Sequence, residues 1–170
     1  MSEHPLVSLA RQTVETYVKE GKVIAPPKEP TAEMKEKAGV FVSLHRKGHL
    51  RGCIGTFAPT TESVAKEVIR NAIEAATRDP RFPPVKAEEL ADLEISVDVL
   101  TDPVAVGSER ELDAKKYGVI VKSGPRRGLL LPDLPGVNTP QEQIAICRQK
   151  AWIDENEPVE LFKFEVRRYH

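Results

Sequence analysis

The 170-residue chain is poor in cysteine and in aromatic side chains. Two cysteines, Cys53 and Cys147, are too few for a disulfide framework, so reduced thiols and a cytoplasmic setting are expected. Aromatics are 5% of the residues and do not interleave with basic clusters, which disfavours a base-stacking surface. Charge of one sign is also lacking. The 25 lysines and arginines meet 26 acidic residues, a formal net charge of −1, and nucleic acid is therefore disfavoured as a general partner. No apolar run is long enough to span a bilayer, so no membrane partner is expected. The N-terminal stretch, MSEHPLVSLARQTVETYVKEGK, is amphipathic and broken by charges, unlike a signal segment. No glycine-rich phosphate loop stands between a strand and a helix, which disfavours a doubly wound nucleotide fold.

What is present is a mixed pattern. Leu6, Leu9, Ala10, Val14, Tyr17 and Val18 form a helical stripe over residues 5–20, and Gly21 ends it. Residues 25–38, rich in proline and charge, read as an exposed connector. A hairpin follows, with arms at 39–45 and 50–56. The alanine-rich segment 60–77 reads as a helix that packs closely, and DPRFPP at 79–84 stops it. A short helical turn is expected at 86–90. Strict alternation over 93–100 marks a strand whose Glu94, Ser96 and Asp98 share one face. A second hairpin, 116–131, turns at GPRRG. Thr139, Pro140 and Glu142 announce a helix to about residue 153, and VELFKFEVRRY reads as one final strand. Hairpins mixed with helices in no strict alternation imply an α+β fold with a largely antiparallel or mixed sheet, built as one domain over residues 1–170.

The stretch LRGCIG, residues 50–55, sets an arginine, two glycines and a free thiol within six residues. With a turn centred on Lys47 and Gly48, Ser43 is expected to pair with Gly52 and Val42 with Cys53. Arg51, Cys53 and Gly55 then share a face with Val42 and Leu44, and the guanidinium beside the thiol favours a thiolate. Gly52 and Gly55 would leave room for a substrate or for another backbone. The same residues also fit a packed strand: a cysteine as a small hydrophobe, glycines that admit a helix, and an arginine paired with a carboxylate.

Other clusters carry less. His45, His49 and Cys53 have zinc-ligand chemistry, but the expected pairing puts His45 on the face opposite Cys53 unless a bulge intervenes, so no metal site is assigned. Asp79, Arg81 and Phe82 follow a helix and can clamp a polar ligand or simply cap a rigid turn. Asp79 is also a candidate base or orienting group for Cys53 and Arg51. Lys122, Arg126 and Arg127 make the second hairpin tip basic. Cys147 reads as core, and Lys150 lies about one turn beyond it.

LRGCIG, DPRF, ELADLEISVDVLTDP, GLLLP and the CRQKA helix, in that order, resemble the AMMECR-type domain family, whose prokaryotic members are named for the AmmeMemoRadiSam system. The resemblance implies an α+β fold of two lobes with a cleft holding the signature. It marks Arg51, Gly52, Cys53, Gly55, Asp79, Arg81, Phe82, Pro132, Cys147 and Lys150. It also implies association with Memo-type and radical SAM proteins, and no established activity. Trp152 stands where the family usually has glycine.

Two functional readings stand side by side, and whether the chain is an enzyme stays open. In the first, Cys53 is a nucleophile for thiol-based group transfer or hydrolysis, with Arg51 and Asp79 catalytic and with Gly52, Gly55, Arg81, Phe82 and Lys150 binding a small polar substrate. In the second, the chain is a non-catalytic binding or adaptor module that holds a small molecule or a partner segment. No cofactor is assigned under either.

Overall fold

A computed structural model describes residues 3–170. The chain divides into two compact units, 1–100 with 167–170, and 101–166.

The first unit begins with helix α1, Pro5–Glu20, whose Leu6, Leu9, Ala10 and Val14 are buried. His4 caps it by accepting the Leu6 N–H, and Gly21 closes it at φ 68°. Within the expected connector, Thr31 caps a single-turn helix, α2, Ala32–Lys35. Strands β1, Val40–Arg46, and β2, His49–Thr56, form the expected hairpin. Lys47 and Gly48 both take positive φ, 52° and 81°, which is the type I′ geometry that suits the right-handed twist of a two-residue hairpin. Helix α3, Val64–Thr77, is capped by Ser63 and starts four residues later than its pattern suggests. Residues 60 and 61 instead wrap onto the buried Glu67 carboxylate, which accepts from the Thr60 hydroxyl at 2.9 Å and the Thr61 N–H at 2.5 Å.

A 3-10 turn, Ala87–Asp92, leads into strand β3, Leu93–Leu100. The sheet order is β2, β1, β3 and then a last strand, β8, Val166–Tyr169. Val40, Val42, Leu44, Ile95, Val97 and Val99 line its inner face and pack on α1 and α3. Helix and sheet together bury a continuous apolar cluster, and that burial is what holds the unit.

The second unit holds β4, Val104–Val106; β5, Gly118–Ser123; β6, Arg126–Leu130; helix α4, Pro140–Ala151; and β7, Glu160–Phe164. Its sheet runs β4, β7, β5, β6, with antiparallel pairs throughout. Thr139 caps α4 and Pro140 opens it, as the sequence predicts. α4 packs over the sheet through Ile144, Cys147 and Ala151. Gly128 is required there, because a Cβ would stand 2.1 Å from the Cys147 carbonyl oxygen.

The final strand is not continuous. β7 and β8 belong to different sheets, and Glu165 between them exchanges hydrogen bonds with Thr101 instead of a sheet neighbour. The architecture is α+β with two antiparallel sheets, as expected. Among the described residues, no helix is long and apolar enough to cross a membrane.

Candidate functional site

The register of the first hairpin corrects the expected one. Arg46 pairs with His49 and His45 with Leu50, but Leu44 then pairs with Gly52 and Ser43 with Cys53. Arg51 is the extra residue of a β-bulge. Beyond the bulge every β2 side chain is therefore turned over relative to the regular pairing. Gly52, Ile54 and Thr56 share the face of Leu44, Val42 and Val40, whereas Cys53 and Gly55 share the face of Ser43 and Phe41.

Arg51 does not lie against the thiol. Its guanidinium turns to Glu89, with Nε donating at 2.7 Å, and to the carbonyls of Pro83 and Pro84 at 2.9 and 3.3 Å. Hydrogen bonding from Arg51 in turn holds Glu89 below the usual carboxylate range. Both side chains are 13% exposed, so this is a largely sheltered pair that pins the segment after α3 to the bulge. Gly52 admits α3: a Cβ there would stand 2.2 Å from the Ala75 carbonyl oxygen. Gly55 lies under the Phe41 ring, 2.2 Å from where its Cβ would be.

Cys53 is held by its backbone as much as by its side chain. β2 is an edge strand, and the Cys53 N–H donates to Asp79 Oδ2 at 3.0 Å. The Cys53 carbonyl accepts from Arg81 Nη2 at 3.2 Å. The DPRF turn thus satisfies both edge groups at once and blocks strand addition there. The Asp79 carboxylate also accepts from Arg81 N–H, Nε and Nη2 at 3.1, 3.0 and 2.7 Å. Arg81 holds Asp79 well below the usual carboxylate range, against the effect of burial. Asp79 is therefore a fixed anion, and an ion-paired carboxylate of this kind is a weak base. Arg81 keeps a 56% exposed side chain, and its Nη1 makes no hydrogen bond among the described residues. The guanidinium carbon lies 5.4 Å from the Phe82 ring centroid.

On the outer face of the sheet, Cys53, Ser43 and Ser96 lie abreast on three adjacent strands. Ser43 Oγ and Cys53 Sγ are 3.3 Å apart. Burial pushes the Cys53 thiol up, and the opposing pull of Ser43 and Arg81 does not reverse it. At neutral pH the group is a thiol. To one side of this row lie His45 and Glu94, and to the other Phe41 and Asp98. Asp98 is 3% exposed and takes a two-pronged ion pair from Arg168, at 2.8 and 3.0 Å. A groove of about 440 Å³ borders this face and is lined by Arg11, His45, Glu94, Ser96 and His170.

The bulge therefore does put His45 on the face of Cys53. Among the described residues, however, no three His, Cys, Asp or Glu side chains converge as a metal site. Ser43, Ser96 and Asp98 were not singled out from sequence as site residues. The alternation of 93–100 marks the outer face, but the row across it depends on the bulge. Lys150 belongs to the second unit, where its ammonium donates to the Leu129 carbonyl at 2.7 Å. In the same unit Arg126 donates to the Trp152 carbonyl at 2.7 Å and pairs with Glu157, so that part of the basic hairpin tip is engaged within the unit.

Comparison with known proteins gives a consistent picture. A Thermotoga maritima protein is 52% identical over 99% of both chains. The Clostridium acetobutylicum protein CA_C1420 is also 52% identical over 97% of this chain, which spans only 36% of that longer protein. The crystal structure of the uncharacterized protein PH0010 from Pyrococcus horikoshii superposes with a TM-score of 0.86 at 39% identity, covering 96% of this chain and 88% of that one. The AMMECR1 family profile matches residues 7–170, and the chain belongs to the AMMECR1 family.

Proposed function

We propose that the chain is a binding or adaptor module whose polar sheet face recognises a carboxylate or other small anionic group, carried by a small molecule or a partner segment. One observation carries this reading: Asp79 clamps Arg81 through Nε and Nη2, which leaves Nη1 as an uncommitted donor on a half-exposed guanidinium. A guanidinium fixed in this way is pre-organised for a planar anion. Ser43 and Ser96, abreast of Cys53 on the neighbouring strands, add hydroxyl donors.

Thiol-based group transfer or hydrolysis at Cys53 is the weaker reading. Burial raises the thiol, and Ser43 is the one side chain hydrogen-bonded to Sγ among the described residues. A nucleophilic cysteine needs the opposite environment. The family resemblance supports a setting beside Memo-type and radical SAM proteins, and the two free thiols support a cytoplasmic one. Co-purification with a tagged chain tests the partners.

The direct test is a titration followed by NMR amide shifts, using succinate, citrate and inorganic phosphate as probes. Binding that shifts the Ser43, Cys53 and Arg81 amides and weakens about tenfold in Arg81→Lys supports the proposal. Shifts confined to other surfaces, or equal affinity in Arg81→Lys, sink it.

A further inference from the structure

The edge of β2 opens again just beyond the DPRF turn. The Cys53 N–H and C=O both leave the sheet, toward Asp79 and Arg81, so Cys53 exchanges no hydrogen bonds with Ser43 opposite it. Outward groups recur at every second residue of an edge strand, and the next pair belongs to Gly55. The far side of β1 agrees. The Gly39 carbonyl accepts from the Leu100 N–H, so residues 39, 41 and 43 turn their backbone groups to β3, and Gly55, opposite Phe41, has no partner in β1. Among the described residues, nothing else takes the Gly55 N–H or C=O. Order along the strand fixes what stands beside them. The N–H of a residue precedes its C=O, so Asp79 lies on the Gly52 side of Cys53 and Arg81 on the Gly55 side. Cys53 and Gly55 are about 7 Å apart along the strand. The uncommitted Arg81 Nη1 is thus carried on the group that already reaches the carbonyl next to the open N–H. On the outer face, the Phe41 ring lies across Gly55.

We infer that, building on the anion site proposed at Arg81, this edge binds the C-terminal residue of an extended peptide that runs antiparallel to β2 and sets its terminal carboxylate on Arg81. A strand in that direction approaches Gly55 with its C-terminal end toward Cys53. The residue opposite Gly55 donates its N–H to the Gly55 carbonyl and presents its carboxyl carbon at the Gly55 N–H. One carboxylate oxygen accepts from that N–H and the other meets Nη1. The peptide must end there, because Asp79 and Arg81 occupy the edge at Cys53 and leave no backbone group for a following residue. An internal segment would have to run on through the DPRF turn. A parallel strand would bring its N-terminal end to Arg81, where an ammonium is repelled. The terminal side chain shares the face of Gly55 and Phe41, so the Phe41 ring gives an aliphatic residue an apolar wall. Main-chain bonds add the strand, and the carboxylate selects a chain end.

The test uses the full chain and a short N-acetylated peptide of alternating threonine and valine that ends in leucine. The same peptide as its C-terminal amide, and succinate, are run beside it. The free acid is expected to bind about tenfold or more tighter than the amide, and Arg81→Lys to remove most of that difference. Hydrogen exchange at the Gly55 amide should slow in the complex, a readout on the parent chain that does not depend on how the variant folds. Equal binding of acid and amide overturns the inference, as does a Gly55 amide whose exchange is unchanged by saturating peptide. Succinate that shifts the Arg81 amide while the peptide acid binds no tighter than succinate overturns it and leaves the anion site standing. Failure of succinate and peptide alike removes both.

Discussion

Replacing Asp79 with asparagine isolates the contact that ties the DPRF turn to β2. The carboxylate, whose side chain is 2% exposed, accepts four hydrogen bonds: one from the Cys53 N–H and three from Arg81. An amide offers one oxygen, which can keep two of them, and turns its NH₂ toward groups that are themselves donors. An unsatisfied Cys53 N–H costs about 1–3 kcal/mol. The lost bond to Arg81, whose side chain is 56% exposed, adds about 1 kcal/mol after screening by solvent. The sum is about 3 kcal/mol, or roughly 6–12 °C in melting temperature for a chain of this size. Circular dichroism melts of parent and variant read it directly. The dependence on pH has a definite sign. Asp79 titrates lower in the folded chain than in the unfolded one, so its contribution is complete above its unfolded value of about 3.9. It is lost as pH falls from there through the folded value. The gap between parent and variant is therefore constant from pH 8 to 5 and closes below about pH 4. A variant within 1 kcal/mol of the parent at pH 7, or a gap that grows in acid, refutes the assignment.

Gly52→Ala drives a methyl group into the Ala75 carbonyl of a rigid helix and is expected to lose about 1–3 kcal/mol in denaturant titration. Gly55→Ala first meets the Phe41 ring at 2.2 Å, a side chain and not a helix backbone, and is expected to lose less than Gly52→Ala in the same titration. Trp152 holds φ 59°, ψ 39° at the end of α4, a conformation unfavourable for any side chain with a Cβ. Trp152→Gly should stabilise the chain by about 1 kcal/mol and raise the melting temperature by roughly 2–4 °C. Alkylation mapped by peptide mass should show Cys53 labelling only above the ordinary thiol midpoint of about 8.5. Cys147, fully buried and pushed up to about 12, should label only on unfolding.

Elements whose signal is local were legible in the sequence. The α1 stripe, the alternation of β3 and the Thr139–Pro140 start of α4 each follow from neighbours a few residues apart. The bulge at Arg51 does not. It depends on Glu89, Pro83 and Pro84, more than thirty residues away, which draw the guanidinium out of the regular register. That one displaced residue separates Arg51 from Cys53, same-face neighbours by simple counting, and brings Ser43 and His45 to the thiol's face. The divided C-terminal strand escaped for a related reason. Its apolar alternation runs on through residue 165, and only the pairing of Glu165 with Thr101 breaks it. The structural alternatives weighed for LRGCIG, a helix-admitting glycine and a carboxylate-paired arginine, describe Gly52 and Arg51 as they stand.

Trp152 is the chain's single tryptophan and is 86% exposed. Its indole is thus an optical sensor of one surface spot and is blind to the core. The emission of the folded chain should already resemble that of indole in water, quench readily with iodide, and change little when the protein unfolds. A blue shift in this protein would report a molecule settling over the turn after α4, an event that most folded proteins announce only weakly against the signal of buried tryptophans.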